Sequence, residues 1–170
     1  MTLRLVIVLT VLAHVGFVGS RVTVSLHAIA LGATPLTVGM LMSLYAALPM
    51  LAAVHAGRRI DRGGAAGPML AGLLTVSAGV LLPAVWPSLA ALYLAATLIG
   101  MGFLFVHVAL NNVAGALAAP EQRAASFAWL ALGFSIGGFF GPLVAGFAID
   151  GLGHRLAFLV LAAFPAIAAA

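Results

Sequence analysis

The sequence has no cysteine and no lysine among its 170 residues. Without cysteine, the chain can form no disulfide, no thiolate metal site and no cysteine nucleophile. Without lysine, it lacks both the phosphate-binding GxxxxGKS/T loop and the amine that forms a Schiff base. These absences exclude an ATP-driven pump core and several kinds of enzyme from this chain.

Charge is almost as scarce as these two residue types. Only 6% of the residues are charged, whereas about one quarter are charged in a typical soluble domain. The net charge is +4, but the arginines are scattered over short connections instead of clustered on one face, so they do not indicate a nucleic-acid partner. Hydrophobic residues make up 65% of the chain. This composition excludes an ordinary soluble domain.

Long uncharged runs occupy most of the sequence, at residues 22–57, 63–120 and 124–149. A membrane-spanning helix needs roughly 20 mostly apolar residues, so two of these runs are long enough for two helices or parts of them. We predict helices at residues 5–30, 36–56, 68–85, 89–117, 124–149 and 156–170. The predicted fold class is therefore an all-α membrane protein, a polytopic helical bundle with about six spans.

The last predicted helix is short. At 1.5 Å per residue its 15 residues reach roughly 22 Å, less than the roughly 30 Å of the hydrocarbon core. We therefore expect a truncated final helix in a chain that is part of a longer protein. The missing C-terminal half would be the rest of that protein, or a second copy of this chain.

The arginines predict the orientation in the membrane. With these spans, only Arg155 lies on one side, and the others outside the spans lie on the opposite side: Arg4, Arg58, Arg59, Arg62 and Arg123. Cytoplasmic loops carry an excess of basic residues, so we expect a cytoplasmic N-terminus in a multi-pass protein of the plasma (inner) membrane.

The segment between the second and third predicted helices contains Gly57, Asp61, Arg62 and Gly64. Glycine permits positive φ in a tight loop, and a carboxylate flanked by arginines can bridge helix ends. The segment resembles the GxLADRxGRK signature of the major facilitator superfamily (MFS) of secondary transporters, although the Leu-Ala pair and the closing basic pair are replaced. The resemblance implies an MFS-type six-helix half with a 3+3 inverted repeat, in which Asp61 and Arg62 act as a conformational latch.

A second occurrence of the same glycine and aspartate spacing supports the repeat. Gly146, Asp150 and Gly153 follow the first set by 89 residues, on the predicted opposite side of the membrane. Inverted three-helix repeats are expected within each half of this superfamily. Chance is the alternative, because the chain contains 20 glycines.

The fifth predicted helix contains a motif of small residues and proline: Gly137, Gly141, Pro142 and Gly146. Small residues four apart let helices approach closely, and proline bends the helix axis, so the spacing predicts a packing face. The motif also resembles the GxxxGPxxGG element of proton-coupled antiporters in the family, with Ala145 in place of one glycine. That resemblance favours export. The arginine that many proton-coupled members carry before the GxG of helix four is absent before Gly100, so any coupling residue must lie elsewhere.

Arg21 is the only charged residue well inside a predicted span, and a buried arginine there costs about 2.5–3.5 kcal/mol on insertion scales. His14, two turns earlier, and Ser25, one turn later, share its helix face. This stripe could bind an anionic group through Arg21 while His14 titrates. The alternative is a structural arginine that extends to the headgroups.

His107 and Asn111 lie one turn apart on the fourth predicted helix. In the family that the sequence resembles, helices one and four line the central cavity, so the resemblance implies that these two residues line it as well. Interhelical hydrogen bonding is the alternative role.

The predicted function is secondary active transport of a small molecule by alternating access, with the proton as coupling ion. Efflux is the first expectation and uptake by symport the second. We predict no enzymatic activity, no cofactor and no metal site. A non-transporting membrane scaffold remains open, as does an intramembrane serine protease, because Ser135 lies in a GxSxG pattern. The nucleophile elbow, however, requires a strand-to-helix turn, and Ser135 lies within a predicted helix.

Overall fold

Helices make up nearly all of the computed structural model, which describes residues 2–170. The elements are α1 (Leu3–Ala30), α2 (Pro35–Gly63), α3 (Ala66–Val85), α4 (Leu89–Leu117), a 3-10 turn (Pro120–Gln122) and α5 (Arg123–Ala169). All 5 α-helices are long and apolar enough to cross a membrane. The prediction of an all-α, multi-pass membrane bundle is confirmed.

Hydroxyl side chains cap the first turns of α1, α2 and α4, and in α1 the Thr2 hydroxyl accepts a hydrogen bond from the Leu5 amide at 3.4 Å. The Thr34 hydroxyl accepts a hydrogen bond from the Thr37 amide at 3.3 Å, and Pro35 follows at the first helical position. The Ser88 hydroxyl accepts from the Ala91 amide at 3.1 Å. Such caps satisfy amides that have no partner within the helix, so the short connections can sit at the membrane surface.

α2 is longer than predicted. The sequence indicated an end at Ala56 followed by a basic loop, but the helix continues through Arg58, Arg59 and Arg62 to Gly63. It ends at Gly64, whose φ of 82° and ψ of 162° lie in a region that is essentially restricted to glycine. The Gly64 amide still donates to the Ile60 carbonyl at 2.8 Å. The arginines therefore indicated only the end of the apolar segment, whereas Gly64 determines the end of the helix.

α5 contains a sharp break at Gly153, where φ is 80° and ψ is 166°. Residues 123–152 and 154–169 therefore form two segments, which correspond to the fifth and sixth predicted helices. Both segments reach the same point of α1, because a Cβ built on Gly19 would contact Leu161 and would lie 2.9 Å from the Gly141 carbonyl oxygen. The chain thus reverses direction at Gly153, within a single turn instead of the predicted loop at residues 150–155.

The backbone supports the inverted repeat. Gly64 and Gly153 are 89 residues apart and have nearly identical, glycine-restricted dihedral angles. A shift of α2 by 89 positions gives residues 124–152, which are the first segment of α5. α2 ends at the bundle face that carries most of the arginines, here called the Arg-rich end, and the first segment of α5 ends at the opposite face.

Close approach of small residues holds the helices together. A Cβ built on Gly72 of α3 would lie 2.6 Å from the Gly102 carbonyl oxygen of α4. The seam between α1 and α5 is equally tight, because a Cβ on Gly141 would lie 3.0 Å from the Gly19 nitrogen. In a membrane, where lipid competes for apolar contact, such backbone proximity is a main source of helix association.

α2 is the least covered helix of the bundle. Leu36, Met50 and Leu51 are each 72% exposed. Its buried side chains are few: Leu41, Tyr45, Ala56 and Ile60. One long apolar face of α2 is therefore available to lipid or to another group of helices.

Two glycines of the same segment should respond oppositely to alanine. Gly64→Ala is expected to destabilise the protein by about 1–3 kcal/mol, because alanine is strained in the Gly64 conformation. Gly57→Ala is expected to be neutral or to stabilise by up to about 1 kcal/mol, because Gly57 lies inside α2 with open space around it. Thermal unfolding of both purified variants in detergent compares them. Equal destabilisation would contradict the assigned helix end.

Candidate functional site

Six aromatic and imidazole rings converge from α1, α2, α4 and α5. They form the aromatic–imidazole cluster, which consists of His14, Phe17, Tyr45, Phe103, His107 and Phe134. Phe17 and Phe103 stack at its centre with ring centroids 3.9 Å apart and an interplanar angle of 13°. The cluster joins candidate residues that the sequence placed on separate helices.

His14 is fixed in this cluster by one hydrogen bond and by contacts with three rings, which are those of Phe17, Phe103 and Phe134. Its Nδ1 donates a hydrogen bond to the Phe134 carbonyl at 2.6 Å. The imidazole stacks on Phe103 at 5.6 Å and meets the edge of Phe134 at 5.2 Å. With Nδ1 engaged as the donor, Nε2 is the nitrogen that can accept a proton or a substrate hydrogen bond.

His107, like His14, contacts the Phe134 ring. Its ring centroid is 4.8 Å from that of Phe134 and 6.0 Å from that of Phe103. The side chain is exposed, so it is available to a molecule in contact with the cluster. Asn111 is turned back on its own helix, because its Nδ2 donates to the His107 carbonyl at 2.8 Å.

Arg21 lies at the α1–α2 contact, where its Cζ is 5.9 Å from the centre of the Tyr45 ring. Tyr45 is buried, and its hydroxyl is 3.4 Å from the Ser20 hydroxyl. The arginine side chain is exposed on a shallow cavity of about 360 Å³ that Ser25 and Met42 also line. Contact with an aromatic face stabilises a guanidinium by about 0.5–2 kcal/mol, so Tyr45 helps to position this cation.

Two aromatic rings connect His14 to Arg21. His14 stacks on Phe17 at 6.1 Å, and the Phe17 ring meets the Tyr45 ring edge-on at 5.8 Å. The arrangement places a titratable imidazole at one end of an aromatic surface and a permanent cation at the other. Such a surface can bind a flat or amphipathic molecule through its rings and an anionic group through arginine.

The predicted latch residue Asp61 lies in the last turn of α2 and bonds to α4. Asn112 Nδ2 donates to Asp61 Oδ1 at 3.3 Å, which joins the two helices at the Arg-rich end. Arg62 is exposed beside it. The sequence did not predict the contact between Asp61 and Asn112, although both residues lie towards the predicted cytoplasmic ends of their helices.

The small-residue motif of α5 contacts α1 with a different set of residues than predicted. A Cβ on Gly137 would lie 2.7 Å from the His14 Cβ, and Gly141 abuts Gly19, but a Cβ on Gly146 would meet nothing within 4 Å. Gly146 follows Gly137 by nine residues, about 180° around the helix, and so faces away. Gly133 and Ala145 are buried instead, because their spacing of four residues puts them on the same face of α5 as Gly137 and Gly141. Pro142 is half-buried in the middle of α5.

Four residues of the cluster were not predicted: Phe17, Tyr45, Phe103 and Phe134. The sequence did contain a signal for two of them, because Phe17 and Phe103 lie one turn from His14 and His107 on the same helix faces. Among residues 2–170 there is no group of three or more side chains able to hold a metal ion.

Sequence comparisons place this bundle among membrane transporters. The sequence profile of the Major Facilitator Superfamily matches residues 6–170. The class B tetracycline resistance protein of Escherichia coli is 34% identical over 110 residues, which are 65% of this chain and 27% of that protein. The chain thus corresponds to well under half of this relative.

Solved structures with the same fold include transporters of the POT family. One bound to a thioalcohol-conjugated peptide and one bound to 5-aminolevulinic acid each give a TM-score of 0.88 at 20% sequence identity. In both cases the match covers 98% of this chain and 36% of the other. A peptide transporter in complex with sulfate gives 0.87 at 23% identity. This likeness shows the fold, and the profile match over residues 6–170 shows that the chain belongs to the Major Facilitator Superfamily.

Proposed function

We propose that this chain forms one half of a secondary transporter that exports a small molecule by alternating access, in exchange for protons. The observation that carries the proposal is the aromatic–imidazole cluster, because it gathers the polar groups of otherwise apolar helices on one surface. Ionisable residues inside membrane helices are costly and generally serve a substrate or proton pathway. Similarity to a tetracycline resistance protein supports export over uptake.

The substrate class follows from the cluster. The half-buried Phe17 ring, stacked on the buried Phe103, provides an apolar surface, and Arg21 provides a cation at the neighbouring Tyr45 ring. A planar or amphipathic compound that carries an anionic group fits both. His14 and His107 are the candidates for proton exchange, since imidazole changes charge near physiological pH.

The second half of the transporter would cover the aromatic–imidazole cluster. It would be either a further six-helix region or a second copy of this chain. The cavity would then lie between the halves near the membrane midplane, and rocking of one half against the other would expose it to alternate sides. The arginine excess supports a cytoplasmic position for the Arg-rich end and the N-terminus of a multi-pass protein in the plasma membrane.

Transport in inside-out vesicles tests the proposal. The protein, expressed from its native reading frame, is supplied with a panel of planar fluorescent compounds that includes tetracycline. Acidification of the vesicle lumen should drive accumulation of at least one compound. His14→Gln and Arg21→Gln should each reduce the initial rate about tenfold or more, corresponding to roughly 1.4 kcal/mol. Arg123→Gln, which removes an exposed charge outside the cluster, should leave the rate unchanged.

The alternatives predict different results in the same vesicles. Movement of a compound out of an acidified lumen would indicate proton-coupled uptake into the cell. Absence of movement for every compound, with either gradient, would favour a scaffold role. A protease is disfavoured by the structure of its candidate nucleophile, because the Ser135 hydroxyl donates to the Ala131 carbonyl of its own helix at 3.0 Å.

A further inference from the structure

A second concave surface lies outside the aromatic–imidazole cluster. This α2–α3 groove opens between α2 and α3, has α4 as its floor and encloses about 730 Å³. His55 and Arg59 of α2, Gly67, Ala71 and Thr75 of α3, and Phe105 of α4 are among its lining residues. It is about twice the size of the cavity of about 360 Å³ beside Arg21.

The groove faces away from the proposed transport site. Phe105 contributes to the groove and Phe103 to the cluster, and two residues correspond to about 200° around a helix. α4 therefore separates the two surfaces. A molecule in the groove would contact the outside of the bundle and would not enter the proposed cavity between the halves.

Small residues keep the groove open. A Cβ built on Gly67 would meet nothing within 4 Å, and Ala71 is exposed. Phe105 and Gly72 close the floor, where a Cβ on Gly72 would lie 3.2 Å from the Phe105 Cβ. The walls are thus mostly apolar, and they run from the Arg-rich end into the membrane-spanning part of α3 and α4.

The mouth of the groove is cationic. An Arg59 Nη1 atom lies 3.9 Å from the Cβ position of Gly63, so the guanidinium extends along α2 towards the Arg-rich end. Among residues 2–170, hydrogen bonds of charged side chains are made by Asp61 and Arg155, and none by Arg59. Asp61, the carboxylate nearest in sequence, is engaged by Asn112. The Arg59 cation is therefore available to an anion from outside the protein.

We infer that the α2–α3 groove binds an anionic phospholipid. The lipid phosphate contacts Arg59 at the mouth, with His55 one turn deeper, and an acyl chain lies along Ala71, Thr75 and Phe105. A groove on the outside of the bundle is filled by lipid, and because lipid tails are as apolar as the groove walls, the preference for one lipid comes from the headgroup contact. Basic pockets between helices on the cytoplasmic side are suited to anionic headgroups, which are enriched in that leaflet. This site is separate from the proposed substrate and proton residues.

Lipid retention in native mass spectrometry tests the inference. The full chain, purified in a mild detergent, is titrated with phosphatidylglycerol or with phosphatidylcholine of the same acyl chains. We expect one phosphatidylglycerol to be retained with at least about tenfold higher affinity than phosphatidylcholine, a difference of roughly 1.4 kcal/mol. Glycerol phosphate, which lacks the acyl chains, should not compete at similar concentrations.

Two variants address the headgroup and the acyl chain separately. Arg59→Gln should abolish the preference for phosphatidylglycerol, and Ala71→Phe should weaken both lipids by filling the groove. Both positions are exposed, so neither change disturbs the buried core. Arg123→Gln and Ala90→Phe are the matched controls, because they remove the same charge and add the same bulk at exposed positions outside the groove.

The controls also define how the inference fails. Equal affinity for the two lipids, or an unchanged preference in Arg59→Gln, would overturn the headgroup contact. Equal loss in Arg123→Gln and Arg59→Gln would show general attraction to a basic surface and would overturn the specific site. Full retention by Ala71→Phe would overturn the groove as the acyl-chain site.

Discussion

Replacing Gly141 by leucine should prevent α5 from packing on α1. A Cβ at this position would lie 3.0 Å from the Gly19 nitrogen and 3.1 Å from the Val15 carbonyl oxygen. Both neighbours are backbone atoms and cannot move aside as a side chain can. Overpacking of a core typically costs about 1–3 kcal/mol, and we expect the upper end of this range or more. Thermal unfolding in detergent, followed by size-exclusion chromatography, should show a large loss of folded protein.

Gly146→Leu is the matched control for this experiment. It introduces the same side chain into the same helix, at a position where a Cβ would meet nothing within 4 Å. We expect near wild-type unfolding, because the leucine points away from α1. If Gly141→Leu unfolded no earlier than Gly146→Leu, the α1–α5 seam would not be the backbone contact described above.

Asp61→Asn should abolish most transport while leaving the protein folded. A carboxylate in the last turn of a helix faces the negative end of the helix dipole, so the charge does not favour the helix itself. The Asp61 carboxylate instead accepts an exposed hydrogen bond of 3.3 Å from Asn112 of α4. An amide oxygen at this position can still accept the hydrogen bond from Asn112, so the change removes the carboxylate charge. If that charge holds one conformation of the transport cycle, its removal should slow transport roughly tenfold to hundredfold. Initial rates in the vesicle assay measure the effect.

Two further variants separate a latch from a general effect of charge. Asn112→Ala removes the partner of Asp61 on α4 and should reproduce much of the loss. Glu121→Gln neutralises an exposed carboxylate in the 3-10 turn near the same end of the bundle and should have little effect. Wild-type rates in Asp61→Asn, or equal losses in Asp61→Asn and Glu121→Gln, would be incompatible with the latch.

Hydropathy predicted the helices well because each apolar run can satisfy its backbone groups in a membrane only by forming a helix. It failed at the end of α2, where Gly57 and the arginines resembled a loop. Helical hydrogen bonds continue past the membrane surface until a residue breaks them, and here that residue is Gly64. A connection between the fifth and sixth helices was predicted at residues 150–155. Nothing in the sequence indicated, however, that Gly153 alone reverses the chain direction.

The candidate site could be predicted only in part. His14, Arg21 and His107 were found because polar groups are rare and costly in membrane helices. Tyr45 and Phe134 were not, because aromatic residues are common in such helices and their convergence depends on helix packing. Likewise, Gly146 matched the expected spacing but lies on the wrong side of α5, a fact that depends on the position of α1.

The paired turns at Gly64 and Gly153 suggest how such a chain arises. If an ancestral gene encoded one three-helix unit, its duplication with reversed orientation would have given both turns at once, 89 residues apart. Asp150, which precedes Gly153 by the same three residues that separate Asp61 from Gly64, is then the duplicated counterpart of Asp61. A single ancestral glycine turn with its preceding aspartate would thus have supplied one such turn for each end of the bundle.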